Sequence, residues 1–376
     1  MRRQALWPVA ATLVAGLALV ACGGSQSGTA PEADLAAVPP IDEAEVSTTC
    51  PLFPAQAVFN TRIDDVARFP KHTRSDAWVS SVGGTRPFHP DWGNDDQPAS
   101  SNYYGIPFNV VDSTERPVEW ASLQFVPDAA KDESDCAVAD GAAWRMQRDC
   151  SGVTQPRFPV PTGTVLTEGG TCNDPATCGD HHLLVWEVGQ CRLWEAYQGY
   201  RINGQWTAWS VAAWDLRSMA MRPAGWTSAD AAGLPILPLL ARATEASSGE
   251  VKHALRVTFT DAVMHNEPVW PASHRAGTPL ANGIPLGAAL RLKAGVTIPA
   301  NWTTQAKALA LAMQRYGLYV ADHGSNLFVQ GEPNANWSDD TISQLKSLKM
   351  SDFEFVDMGA VTGHPQFRSD SYRGAW

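Results

Sequence analysis

The stretch LLVWEVGQCRLWEAYQGYRINGQWTAWSVAAWDL, residues 183–216, decides the fold. Leu183 to Val188 and Cys191 to Tyr200 are β-rich runs separated only by Gly189-Gln190, a two-residue hairpin loop with glycine first. Asn203-Gly204, the strongest short hairpin signal, joins the end of the second run to Gln205 through Leu216. Together these turns predict a three-stranded antiparallel meander and set its register. Pairing Val188 with Cys191 puts Trp186 opposite Leu193, Leu184 opposite Glu195 and His182 opposite Tyr197. Pairing Ile202 with Gln205 puts Tyr197 opposite Ser210, Glu195 opposite Ala212 and Leu193 opposite Trp214. One face therefore sets Glu195 among His182, Leu184, Trp186, Tyr197 and Trp214.

Outward from the meander, further strands are expected at His253 to Thr260, Ala289 to Val296, Gly317 to Ala321, Asn326 to Gln330 and Phe353 to Met358. Two short helices near the C-terminus are expected: Thr304 to Tyr316, capped by Thr303 and stopped by Gly317, and Thr341 to Leu348, capped by Asp340. Residues 58–126 read as a loop-rich start to the same domain. The chain is thus expected to be mainly β, an antiparallel β-sandwich or jelly-roll-like domain with long loops. It is counted as one domain, 50–376.

Met1-Arg2-Arg3 and the apolar run Ala5 to Val20 read as a signal peptide over 1–21, and Leu19-Val20-Ala21-Cys22 ends it as a lipoprotein signal does. Cys22 is the expected lipidation site, and its acyl chains the only membrane anchor. Residues 22–49 are Gly, Ser, Ala, Pro and acid, the composition of a disordered tether. The expected location is the cell envelope, at the outer membrane if the cell has one. Loss of Arg2 and Arg3 with the leader moves the formal charge from −11 to −13, the wrong sign for nucleic acid. A monomer is expected.

Apart from Cys22 six cysteines remain: Cys50, Cys136, Cys150, Cys172, Cys178 and Cys191. An even number in an exported chain implies up to three disulfides, with Cys172 to Cys178 the first pairing to expect. Metal binding is the competing reading, but no second close pair completes a tetrahedral site.

A carboxylate in apolar surroundings keeps its proton to higher pH, as a general acid at neutral pH must, so Glu195 is the first catalytic candidate. The alternative is an ion pair with Arg256 or Arg291 that closes a polar gap in the sheet. Other polar groups sit where strands end: Asp180 and His182, then Asp230, His253 and Arg256, His274, and Asp322. Asp180, Asp230 and His182 join Glu195 as catalytic candidates. Tyr197, Trp186, Trp214, His253, Arg256, His274 and Asp322 are candidates for substrate binding, with indole faces offered to sugar rings. No cofactor motif is present. Asp91-Trp92-Gly93-Asn94-Asp95-Asp96 reads either as a solvated acidic turn or as a loop-ordering Ca²⁺ site.

The run from Thr227 to Pro235, through His253-Ala254-Leu255-Arg256 and Trp270-Pro271-Ala272-Ser273-His274, to Tyr316 through Ser325 resembles a family of uncharacterised exported bacterial proteins. The resemblance covers about residues 59–357 and implies a single intact domain without adding chemistry. H-E-x-x-H, G-x-S-x-G and phosphate-loop motifs are absent. Two functions stay open: a polysaccharide-acting enzyme, a glycoside hydrolase with Glu195 as acid and Asp180 or Asp230 as base or nucleophile (or a lyase), and a non-catalytic lipoprotein that binds a glycan or a protein.

Overall fold

Strand pairing in the meander is the one its two turns dictate. Leu184 lies opposite Glu195 and Trp186 opposite Leu193, while Ser210, Ala212 and Trp214 lie opposite Tyr197, Glu195 and Leu193. The structure, a computed structural model, describes residues 48–115 and 117–373. The expected leader, Cys22 and nearly all of the tether lie outside the described residues.

Local geometry departs from expectation in two places. The left-handed residue of the first turn is Cys191, at φ 54°, and not Gly189. The expected long second strand is cut at Gln198, φ 53°, and at Gly199, where a Cβ would stand 2.8 Å from that of Leu183. There the chain leaves the meander. Its Asn203-Gly204 hairpin, Tyr200–Ile202 with Gln205–Ala208, joins a second sheet, in which Gln205–Ala208 runs parallel to Val118–Phe125.

The meander strands Leu183–Glu187, Arg192–Tyr197 and Ser210–Asp215, with Phe108–Val111 at the edge, form a four-stranded sheet that is buried on both faces. Leu184, Trp186, Leu193 and Trp214 pack into one core with the C-terminal half of the chain. Val185, Trp194, Ala196 and Val211 pack into another, beneath Val118–Phe125, Asp135–Asp140 and Arg157–Pro161. A six-stranded C-terminal sheet follows the order His89–Asp91, Phe328–Gln330, Leu255–Phe259, Leu318–His323, Ala289–Leu292, Phe353–Phe355.

The expected mainly β character holds. Purely antiparallel pairing does not, because Leu255–Phe259 runs parallel to Leu318–His323 and Phe108–Val111 parallel to Leu183–Glu187. Parallel neighbours need long crossovers, and this chain supplies them. One contains the helix Thr304–Arg315, where Thr303 Oγ1 accepts the Ala306 N–H at 3.1 Å and Gly317 leaves at φ 77°. The last expected helix starts earlier, as Asp339–Leu345. Ser75–Val82, Ala243–Ser248 and Gly359–Thr362 are helical without having been expected, each too short to print a clear apolar stripe.

All six cysteines among the described residues pair: Cys50–Cys191, Cys136–Cys150 and Cys172–Cys178. The first closes 141 residues and ties the N-terminal segment to the meander's first turn; the third closes only 6. Loop entropy makes the long bridge the most stabilising, so Cys50→Ala/Cys191→Ala should cost about 5 kcal/mol and Cys172→Ala/Cys178→Ala about 2 kcal/mol. Chemical denaturation of the two variants measures the difference, and equal losses would count against the loop-entropy account.

Candidate functional site

Glu195 is fully buried and has neither arginine as partner. Its Oε2 accepts the Trp214 indole N–H at 3.1 Å, and its Oε1 accepts the backbone N–H groups of Ile236 and Leu237, both at 2.9 Å. It thus holds the start of the Leu237–Leu239 turn against the meander. Burial raises its carboxyl to about 7 in spite of these three donors. Arg291 is spent on Glu354. Trp214 and Trp186 are buried in the same core, so neither offers an open stacking face, though Trp186 reaches the wall of a cavity.

Six of the other expected residues converge. Arg256 grips Asp230 with Nε and Nη2, at 3.2 and 2.7 Å, and its Nη2 stands 3.8 Å from Asp322. A bulge brings Asp322 there. The parallel register runs Arg256 with Tyr319 and Val257 with Val320, then skips Ala321 to pair Thr258 with Asp322. Without the extra residue Asp322 would fall on the opposite face from Arg256, which is how bulges re-aim side chains. Tyr197 donates to Asp180 at 3.1 Å, and His182 Nδ1 lies 2.6 Å from Glu168 with Nε2 2.9 Å from the Ala229 carbonyl.

Both His182 nitrogens face acceptors, so the ring carries two protons. Burial opposes that charge, but Glu168 overcomes it and holds His182 up at about 9. Reciprocally, burial pushes Glu168 up while the His182 charge and its hydrogen bonds pull it down, and the net shift is downward. Asp230 moves the other way: burial, only partly offset by Arg256 and reinforced by the hydrogen-bonded Asp322, keeps it protonated well above the carboxylate range. The two carboxyls are therefore driven apart, Glu168 towards the anion and Asp230 towards the acid. Glu168 and Asp322 are the accessible ones, with side chains 26% and 24% exposed, whereas that of Asp230 is fully buried.

Glu168 and Asp91 are the residues that sequence reasoning missed. Asp91, expected in an acidic turn, ends a strand beside Gln330, and burial raises it. Glu168 stands in Thr167-Glu168-Gly169-Gly170, which prints no motif. Its position follows from tertiary contacts: the His182 N–H reaches its Oε2 at 3.1 Å, and Gly170, at φ 64°, lies where a Cβ would stand 2.1 Å from the Pro98 carbonyl oxygen. The Cys172–Cys178 bridge closes the loop between Glu168 and Asp180. Two further aromatics lie near the cluster, half-buried Trp209 6.1 Å from Tyr197 and exposed Tyr104 close enough to Asp91 to feel its charge.

Two expected residues lie elsewhere. His274 Nδ1 is 2.8 Å from the Ala231 carbonyl, on the turn behind Asp230. His253 Nε2 is 2.9 Å from Glu245, in a separate cavity of about 590 Å³ that Trp186 and Tyr316 also line. In the 91–96 turn, Asp95 and Asp96 accept from Gln97, and among the described residues no three His, Cys, Asp or Glu side chains converge to hold a metal ion. No family model, curated protein or solved structure matches this chain, so the functional reading rests on the geometry.

The Glu195 carboxyl makes a testable contribution to stability. It ionises near 4.5 in the unfolded chain and near 7 in the fold, so folding favours its protonated form. Its contribution is complete below about pH 4.5 and is lost as the pH rises through about 7. Glu195→Gln should remove that decline, measured as melting temperatures at about pH 4, 6 and 8; an unchanged decline in the variant would assign it to another group.

Proposed function

We propose that this chain is a cell-envelope glycoside hydrolase that works at the Asp322, Asp230, Arg256 and Glu168, His182 cluster. The observation that carries the reading is the divergence of its carboxyls, because pairs of acids pushed apart in pKa mark the acid and the base of hydrolytic sites. Asp230, driven towards the acid, is the source of the proton for the departing glycosidic oxygen, and Asp322 is the exposed carboxyl beside it through which that proton leaves. Glu168, kept anionic by His182, takes a proton from the attacking water. Arg256 holds the Asp pair in place, and Tyr197, Trp209 and Tyr104 supply apolar faces for sugar rings. Glu195, whose oxygens are committed to three N–H donors inside the core, shapes the wall behind the site. The three disulfides fit an oxidising compartment, and lipidation at Cys22 is the proposed anchor.

Asp322→Asn should lower turnover of a cleaved polysaccharide by roughly 10² to 10⁴ with little change in melting temperature, whereas Glu168→Gln should lower turnover as much per folded molecule and also lower the melting temperature, because buried His182 loses its partner. Glu195→Gln should keep its turnover per folded molecule. Glycan binding without cleavage in the unmodified protein, confirmed by reducing-end assay, would replace this reading with that of a binding lipoprotein. In the full chain, Cys22→Ala should move the protein out of the membrane fraction, since two or more acyl chains are needed for stable anchoring. Continued sedimentation with membranes would rule the lipid anchor out.

A further inference from the structure

A small cavity of about 280 Å³ adjoins the loop that carries Glu168; Thr167, the preceding residue, is part of its wall. Thr164, Thr171, Arg201, Trp206 and His181 also line it, and none of its described lining residues is acidic. Its chemistry differs from that of the cluster next door, where carboxylates outnumber cations.

Asn173 anchors the base of Arg201: its Oδ1 accepts the Arg201 N–H at 3.1 Å and its Nδ2 donates to the Arg201 carbonyl at 2.7 Å. Arg201 is exposed, at the mouth of the cavity, and its guanidinium has no carboxylate partner among the described residues. The buried arginines Arg256, Arg222 and Arg291 are each paired with Asp or Glu, so Arg201 is the cation left for a ligand at this cavity. His181 is 2% exposed, its Nε2 lies 2.8 Å from the Cys172 carbonyl, and its Nδ1 has no hydrogen-bond partner. An indole, threonine hydroxyls and a guanidinium without a carboxylate partner among the described residues suit a ligand rich in hydroxyls that also carries one negative charge. The volume falls just below the roughly 300 to 1,000 Å³ of ligand pockets, room for no more than a single sugar unit.

We propose that this cavity is a subsite for an acidic sugar, a uronate or a sugar bearing an ester of phosphoric or sulfuric acid, within the glycan processed at the neighbouring cluster. The inference rests on the glycan reading above and narrows it to acidic polysaccharides. Because the protein as a whole repels polyanions, the Arg201 contact acts at short range and sets which sugar unit lies beside Glu168.

Calorimetric titration with an oligogalacturonate, its methyl-esterified neutral form and a sulfated oligosaccharide tests this in the unmodified protein and in Arg201→Gln. The unmodified protein should bind at least one of the two acidic probes about tenfold or more tighter than the neutral ester, the worth of one charge-assisted hydrogen bond. Arg201→Gln should erase that preference at an unchanged melting temperature, and which acidic probe wins distinguishes carboxylate from sulfate. Equal binding of acidic and neutral glycans, or a preference that survives Arg201→Gln, overturns the subsite and leaves the glycan reading intact. Binding of none of the three overturns the subsite together with the glycan reading.

Discussion

The described residues are arranged around a four-stranded sheet whose two faces are both packed against other layers. A sheet covered on one side tolerates polar residues on the other; this one sends Leu184, Trp186 and Trp214 into one core and Val185, Trp194 and Val211 into a second. Any polar group on it must then find its partners inside the protein, since a buried unpaired carboxylate costs several kcal/mol. Glu195 meets that demand by recruiting backbone N–H groups from Ile236 and Leu237, which draws the Leu237–Leu239 turn onto the sheet. Ser210 does the same on a smaller scale, donating to the Ser228 carbonyl at 2.7 Å and so fixing the turn that presents Asp230.

Because the sheet's faces are closed, the polar cluster lies at its rim. There His182, just before Leu183–Glu187, meets the Ala229 carbonyl while Arg256, in Leu255–Phe259, holds Asp230, and loops bring in Glu168 and Asp180. Arg256 is nearly buried, at 2% exposure, and is the single arginine that the Asp230 and Asp322 carboxyls share. In a medium of low dielectric one cation cannot keep every neighbouring acid ionised, so the protons divide unequally among them. His182 adds a second positive charge through its contact with Glu168, and this decides which carboxyl ends as the anion. The Ala321 bulge contributes as well, since it turns Asp322 towards Arg256.

Much of the local architecture could be read from residues close together in the chain. Gly189-Gln190 and Asn203-Gly204 determined the pairing of the meander, because a short turn leaves two strands one register that keeps their apolar residues together. Thr303 and Gly317 marked both ends of a helix, since capping depends on three or four consecutive residues. Six cysteines gave three bridges, with the shortest pairing evident from its spacing. Asp180, His182, Asp230, Arg256 and Asp322 stood out as polar groups at strand ends.

What covers each face of the meander was settled only by the tertiary structure, because a fully buried strand looks the same whichever layers enclose it. The same holds for Glu195: its position in the sheet was legible, but whether an open cleft or two backbone N–H groups met it depended on residues 236 and 237, some forty positions away. Glu168 acquired its role from contacts with His182 and from the close approach of Gly170 to Pro98, neither of which leaves a local pattern. Local sequence determines backbone geometry through short-range sterics and hydrogen bonds; burial, and with it the charge of every acid in this site, depends on packing between distant segments.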